Sequence, residues 1–315
     1  MYIGVDIGGT NVTAGVVSND GNILFQKSCQ TLPFRGWNTV IQDIIELIKD
    51  VSNQAPDCEK VMGIGVGVPG LADNKTGNVM NCVNLGWQDV PLGKTLEKEL
   101  NKPVYIDNDA SVAALAELEN GALKDTQNSI LITLGTGVGG GFIINGKLYS
   151  GTNNLSSEIG HMVIGENFYN CNCGKNGCFE TFTSATALIK YTRKLMEETK
   201  ENTNIRNYIG DDLDKLNAKL IFDCAKSGDK LALDSVNRLV DYLIIGITNL
   251  INLLDPEVIA LGGGVSKAGD YLLELINNKI HDKILFKDMP HSKVVIAKHG
   301  NDAGIIGAAM LCKYS

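Results

Sequence analysis

One short pattern occurs twice in this chain and restricts what it can fold into: apolar run, glycine turn, apolar run, Asn/Asp-Gly turn, apolar run. Residues 2–7 run into Gly8-Gly9-Thr10, then come residues 12–17, the turn Asn19-Asp20-Gly21, and residues 23–25. Residues 129–133 run into Leu134-Gly135-Thr136-Gly137-Val138-Gly139-Gly140-Gly141, then come residues 142–144, Asn145-Gly146 and residues 147–149. Each copy reads as antiparallel strands joined by tight turns. Self-similarity of this kind predicts an internal duplication, two related halves each carrying a glycine hairpin and facing each other across a cleft. Between the copies, residues 39–51 have helical spacing through Val40, Ile44, Ile45, Leu47, Ile48 and Val51, while 61–68 and 104–106 read as short buried strands. Strands alternating with helices give an α/β class.

The rest of the chain is mostly helical, over 110–119, 184–198, 216–227, 230–254 and 303–312, with strands at 258–261 and 294–297. No low-complexity linker separates the halves, so repetition alone sets the boundary near residue 115. The expected organisation is an N-terminal α/β lobe, 1–115, with a C-terminal helix, 300–315, packing back on it. A larger lobe, 116–299, completes the chain.

Composition removes several function classes. The 315 residues are 44% apolar, enough to bury a full core, and carry a formal charge of −8. Nucleic acids and anionic membranes need clustered Lys and Arg, so neither is an expected partner. A nucleotide is compatible, because backbone N–H groups and a metal ion can hold phosphates without net positive charge. The N-terminus has no basic start followed by an apolar targeting run, and the greasiest stretch, 239–254, is interrupted by Asp241, Asn249 and Asn252. A buried helix and a cytoplasmic location are therefore expected.

Eight cysteines are present, three of them crowded together as Cys171, Cys173 and Cys178, with Cys29, Cys58, Cys82, Cys224 and Cys312 scattered. That spacing is not a disulfide framework. His161 with the three crowded cysteines supplies the four ligands of a closed tetrahedral zinc site, and Gly174 and Gly177 permit the turns that such close ligands require. A closed set leaves no open position for water, so this zinc would organise and not catalyse.

Three glycine loops suit phosphate. Asp6-Ile7-Gly8-Gly9-Thr10-Asn11 places a carboxylate at a strand end before two glycines, whose backbone can approach a phosphate closely, and Asp6 suits water-mediated Mg²⁺. Gly135-Thr136-Gly137 is a second loop and Gly262-Gly263-Gly264 a third. A glycine turn between strands needs no ligand, so the weight lies in three such loops at strand ends. Two familiar nucleotide motifs fail. Gly93-Lys94-Thr95 ends like a Walker A loop, but position 88 is Gln, and Gly135 to Gly141 opens a strand where a Rossmann loop would open a helix. Asp107-Asn108-Asp109-Ala110 lies between a strand and a helix, with Asp109 placed to cap that helix. Sugars present hydroxyls that donate and accept, and Asn108, Asp109, Glu158, His161 and Glu180 form a set able to answer both roles.

Asp6-Ile7-Gly8-Gly9-Thr10, the Leu134–Gly141 run, Glu158-Ile159-Gly160-His161, Cys171-Asn172-Cys173-Gly174, Gly177-Cys178-Phe179-Glu180 and Leu261-Gly262-Gly263-Gly264 together resemble the ROK family (repressors, open reading frames, kinases) over nearly the whole chain. Asn84-Leu85-Gly86-Trp87, Asp107-Asn108-Asp109-Ala110 and Ser184-Ala185-Thr186 resemble its bacterial glucokinase branch. The resemblance implies a duplicated, two-lobe actin-like ATPase (ribonuclease H-like) fold and ATP-dependent phosphorylation of a hexose, glucose first. Fructose, allose or N-acetylmannosamine kinases and a sugar-sensing regulator are the alternatives. It implies Asp109 as general base and Asn84, Asn108, Glu158, His161 and Glu180 as sugar ligands, His161 touching zinc through its other ring nitrogen. It further implies Asp6, Gly8, Gly9, Thr10, Asn11, Gly135, Thr136 and Gly137 around the ATP phosphates and Mg²⁺. Gly262 and Gly263 would lie near the adenosine, and the assembly would be a homodimer or a dimer of dimers. Many family members carry Lys at the position of Asn11, a charge that this chain lacks there.

Overall fold

The computed structural model describes residues 1–56, 60–199, 202–210 and 212–314; Cys58 and the last residue of the expected 300–315 segment lie outside them. The first half runs β1 (Tyr2–Ile7), β2 (Asn11–Val17), β3 (Ile23–Gln30), α1 (Trp37–Asn53), β4 (Ile64–Val68), β5 (Leu71–Asp73), β6 (Asn78–Cys82), β7 (Trp87–Val90), α2 (Leu92–Leu100), β8 (Val104–Asn108) and α3 (Asp109–Asn120). The second runs β9 (Ser129–Leu134), β10 (Val138–Ile144), β11 (Lys147–Leu148), α4 (Glu180–Thr183), α5 (Ala185–Glu198), α6 (Asn204–Ile209), α7 (Ala218–Lys226), α8 (Lys230–Leu254), β12 (Val258–Gly262), α9 (Gly263–Ser266), α10 (Asp270–Ile280), β13 (Lys293–Ile296) and α11 (Ala303–Tyr314).

The duplication is explicit in the sheets. One has the order β3-β2-β1-β4-β8 and the other β11-β10-β9-β12-β13, so each glycine hairpin supplies the first three strands and later crossovers add two. In the first sheet β1, β2 and β3 are antiparallel, while β4 and β8 join in parallel. The duplicated sheets are those of the actin-like ATPase fold. A small antiparallel sheet, β5-β6-β7, was not expected from the sequence. Its strands are short, with Gly70 directly before them and Gly77 and Gly86 between them, so turn residues obscure the alternation. Helix α8 absorbs the greasy 239–254 stretch, and among the described residues no helix is long and apolar enough to cross a membrane.

By contact the chain divides into two compact units, 1–131 with 141–157 and 298–315, and 132–140 with 158–297. Residue 115 falls within α3. A repeat marks where a pattern restarts, whereas contact follows packing, and α3 packs as one rod.

Within the first unit, α11 lies against β1 and β4 on one side and α3 on the other. It is apolar on all sides, with Ala303, Ile305, Ile306, Ala308, Ala309, Met310 and Leu311 buried. The approach requires glycine. A Cβ on Gly4 would strike the Ile305 carbonyl, one on Gly65 the Ala308 carbonyl, and one on Gly307 the Val112 carbonyl. Backbone cannot yield as a side chain tip does, so Gly65→Ala should cost about 3 kcal/mol or more. Chemical denaturation followed by far-UV circular dichroism checks this; an unchanged midpoint would mean that α11 is not seated on β4.

Candidate functional site

In the first unit the parallel register aligns three strand ends. Asp6 of β1 pairs with Gly67 of β4, and Gly67 pairs with Asp107 of β8. The three following loops therefore emerge together at the carboxyl edge of the sheet, where open α/β sheets place ligands. After β1 the turn closes by the Gly8 N–H donating to the Asn11 carbonyl at 2.9 Å, and the Thr31 hydroxyl donates to the Gly8 carbonyl at 2.7 Å. The N–H groups of Gly9 and Thr10 have no acceptor among the described residues. Asn84 lies beside this turn, since a Cβ on Gly9 would be 3.8 Å from that of Asn84.

Asp6 accepts no hydrogen bond from the described residues, and burial raises its carboxyl pKa. A partly buried carboxylate without a protein donor at a strand end fits a cation, and the residues present therefore suit hydrated Mg²⁺. Asp107 is also raised by burial, offset by bonds from the Asn108 N–H at 2.7 Å and the Ser150 hydroxyl at 3.3 Å.

The cap of α3 is a correction to the sequence reading. Asn108, not Asp109, is the N-cap: its Oδ1 accepts from the N–H groups of Ala110 at 2.9 Å and Ser111 at 3.3 Å. Its Nδ2 donates to the Gly70 carbonyl at 3.2 Å. Asp109 is instead the first helical residue, its Oδ1 accepting from the Ala110 N–H at 2.8 Å. The helix dipole there favours the charged carboxylate. Asp109 also acts on buried Cys82, whose thiol is raised first by burial and then by that charge.

The second unit gathers another set. The Gly135 N–H donates to the Gly137 carbonyl at 2.9 Å, closing a turn one residue tighter than that at Gly8, and the Thr136 carbonyl accepts from the Thr186 hydroxyl at 2.7 Å. Thr136 and Gly137 have N–H groups without an acceptor among the described residues. The next residue, Val138, joins three segments. Its N–H donates to Glu180 Oε2 at 3.0 Å. Its carbonyl faces Gly160, where a Cβ would collide, so the Glu158–His161 turn lies directly on the hairpin. Gly137 is needed for the same reason, because a Cβ there would meet the Glu180 carboxylate. Gly263 closes on Leu134: its φ of +81° and the backbone 2.6 Å from a built Cβ both exclude a side chain.

The metal-type donors meet beside this node. One ligand atom from each of His161, Cys171, Cys173 and Cys178 lies within 4.8 Å of every other. Cys173 Sγ is 3.5 Å from Cys178 Sγ, and Cys171 Sγ is 3.7 Å from His161 Nδ1. A tetrahedral zinc with ordinary bond lengths sets sulfur–sulfur spacing at about 3.8 Å and sulfur–nitrogen at about 3.6 Å. The donor set therefore fits zinc. Gly174 and Gly177 take φ of +88° and +83°, the turns that the sequence called for. Glu180 Oε1 lies 3.9 Å from Cys171 Sγ, so one carboxylate touches both the hairpin and a metal donor.

Some residues that build this set were not singled out in the sequence. Asn167 and Asn176 interlock across the metal loop, and Gly160 makes the close approach to Val138. The only signal for the asparagines was their nearness in sequence to the cysteines, which says nothing of a bond between them.

The ROK family profile matches residues 2–315. A glucokinase of Halalkalibacterium halodurans is 40% identical over 314 residues, covering 99% of this chain and 94% of that protein. The crystal structure of a ROK family glucokinase from Streptomyces griseus, in complex with glucose and AMPPNP, superposes with a TM-score of 0.85 at 34% identity, covering 100% of this chain and 99% of that one. A xylose repressor of Caldicellulosiruptor bescii is 29% identical over 307 residues, covering 97% of this chain and 76% of that protein.

The exposed Cys173 thiol accepts the Lys175 N–H, which holds it down to about 7, whereas burial raises Cys171 and pushes Cys178 up to about 12. In metal-stripped protein, iodoacetamide should thus modify Cys173 first, at a rate that rises as pH passes through about 7. Peptide mapping checks the order; equal labelling of all three thiols at pH 7 would refute it.

Proposed function

Because the chain belongs to the ROK family, we propose that it is a sugar kinase transferring the γ-phosphoryl group of ATP to glucose, giving glucose 6-phosphate. The observation that carries this reading is full-length similarity to a glucokinase, joined to the close superposition on the glucose and AMPPNP complex. The local geometry supports it, because each element that phosphoryl transfer needs has a residue suited to it.

In this reading Asp109 accepts the proton of the attacking hydroxyl from its place at the N-terminus of α3. Asn108 is fixed by its cap and its bond to Gly70, which leaves one amide N–H for a hydroxyl. Asn84 is a further sugar ligand. Glu158 and Glu180 accept from sugar hydroxyls, Glu180 with its carboxylate already oriented by Val138. The outward N–H groups of Gly9, Thr10, Thr136 and Gly137 hold ATP phosphate oxygens, with Gly8, Gly135 and the Asn11 carbonyl shaping the turns. Gly262 and Gly263 lie near the adenosine. Asp6 holds hydrated Mg²⁺, which supplies charge neutralisation at the phosphates.

Zinc would be held by His161 Nδ1 with the three thiolates and supplies rigidity, not chemistry. Nδ1 facing the thiols fixes the tautomer: the proton sits on Nε2, which can only donate, so the sugar hydroxyl it meets must accept. The assembly in this reading is a homodimer or a dimer of dimers.

A coupled ADP-release assay across a panel of sugars should show glucose with the highest kcat/KM; a higher value for fructose, allose or N-acetylmannosamine reassigns the substrate. Asp109→Asn should lower kcat about 10²–10⁴-fold while the circular dichroism spectrum stays unchanged. Near wild-type turnover in that variant removes Asp109 as the base. Elemental analysis should find about one zinc per chain, retained through purification because binding is coupled to folding. Zinc-free protein with intact structure would rule out the assigned metal.

A further inference from the structure

Arg238 on α8 is half-buried, and no carboxylate is within ion-pair distance of it among the described residues. Its guanidinium is enclosed by aromatic faces, 4.2 Å from the ring centre of Tyr191, 5.0 Å from Phe182 and 5.1 Å from Tyr242. Phe182 belongs to α4, the helix that begins with Glu180, and stacks on Tyr242 with ring centres 3.8 Å apart. Cation–π attraction thus replaces an acidic partner, and it leaves the N–H groups of the fork for another task.

That task is Asn167. Arg238 Nη2 donates to Asn167 Oδ1 at 2.9 Å. Asn167 Nδ2 donates to the Thr181 carbonyl at 2.7 Å, one residue past Glu180. The Asn167 N–H donates to Asn176 Oδ1 at 2.8 Å, and Asn176 Nδ2 returns a bond to the Asn167 carbonyl at 2.9 Å and another to Asn170 Oδ1 at 2.9 Å. Asn176 lies between Cys173 and Cys178. One residue therefore links α8 and the start of α4 through its side-chain amide, which Arg238 orients, and holds the metal loop through its backbone. Without the guanidinium the Asn167 amide loses an anchor, so its bond to Thr181 loosens directly and the metal loop loosens through the Asn167 backbone that carries it.

We infer that Arg238 is a positioning residue for His161 and Glu180, acting through Asn167, so that it sets sugar affinity and zinc retention without entering the chemistry; the sugar half of this rests on the kinase reading above. Arg238→Met keeps the apolar stem in the aromatic cage and removes the donor. Asn167→Leu leaves the cage whole and removes the acceptor, giving the same readouts if Arg238→Met folds poorly. In each variant, zinc release to a chromogenic chelator should quicken about tenfold. KM for glucose should rise about fivefold with kcat within about twofold. Both changes sever one link, so the double variant should be no worse than the stronger single variant. The inference is overturned if zinc release and KM stay at wild-type values whatever happens to the melting temperature, if the two effects add in full, or if the wild-type protein holds no zinc. A wild type that phosphorylates no hexose defeats the kinase reading instead, and the zinc-release rates still decide the role of Arg238.

Discussion

The hydrogen bond from the Val138 N–H to Glu180 makes one object of three segments far apart in sequence. A glycine hairpin, the turn ending at His161 and the short helix beginning with Glu180 all meet at a single residue's backbone. Glycine at 137 and 160 is what allows the meeting, because a methyl group at either would displace a carboxylate or a carbonyl. A charge-assisted bond from a backbone N–H is stronger than a neutral one and fixes the carboxylate in one orientation. A carboxylate held in this way can discriminate among hydroxyl geometries, because it does not adjust to each ligand.

The candidate metal site would extend this rigidity. Of four donors spaced for a tetrahedral ion, Cys171 lies against the same Glu180, and the histidine is shared between the metal set and the proposed sugar set. A zinc that performs no chemistry would still act on a sugar through the tautomer and angle of His161. Behind it, two interlocked asparagines and an arginine caged by aromatic rings tie the loop to the longest helix of the chain. In the proposed reading stability and sugar affinity are coupled in this unit, because the same bonds would serve both.

The first unit solves a different problem. It must bring carboxylates to one sheet edge, where Asp107 is hydrogen-bonded and Asp6 is left without a protein donor. The parallel register does the alignment, and glycines in β1 and β4 let α11 close the face behind them. Asn108 takes over the capping of α3 and leaves Asp109, the proposed base, at the positive end of the helix.

Much of this was legible in the chain. Turn glycines and period-two alternation are local signals, and they gave the repeated hairpins, whose recurrence became the matching order of the two sheets. Cysteine and histidine spacing is likewise local, because close ligands need only a short loop and two glycines. The sequence missed the β5-β6-β7 sheet, whose turns mask its strands, and placed the cap of α3 one residue late. What lay beyond it altogether was partnership across distance. Val138 with Glu180 is separated by 42 residues and Arg238 with Asn167 by 71. Neither residue type announces its partner, since any backbone N–H can meet any carboxylate and an arginine without an acid looks like a solvated one. Local chemistry is written in the order of residues, whereas the pairing of distant groups is decided only when helices and sheets pack, since close packing leaves each buried donor few acceptors within reach.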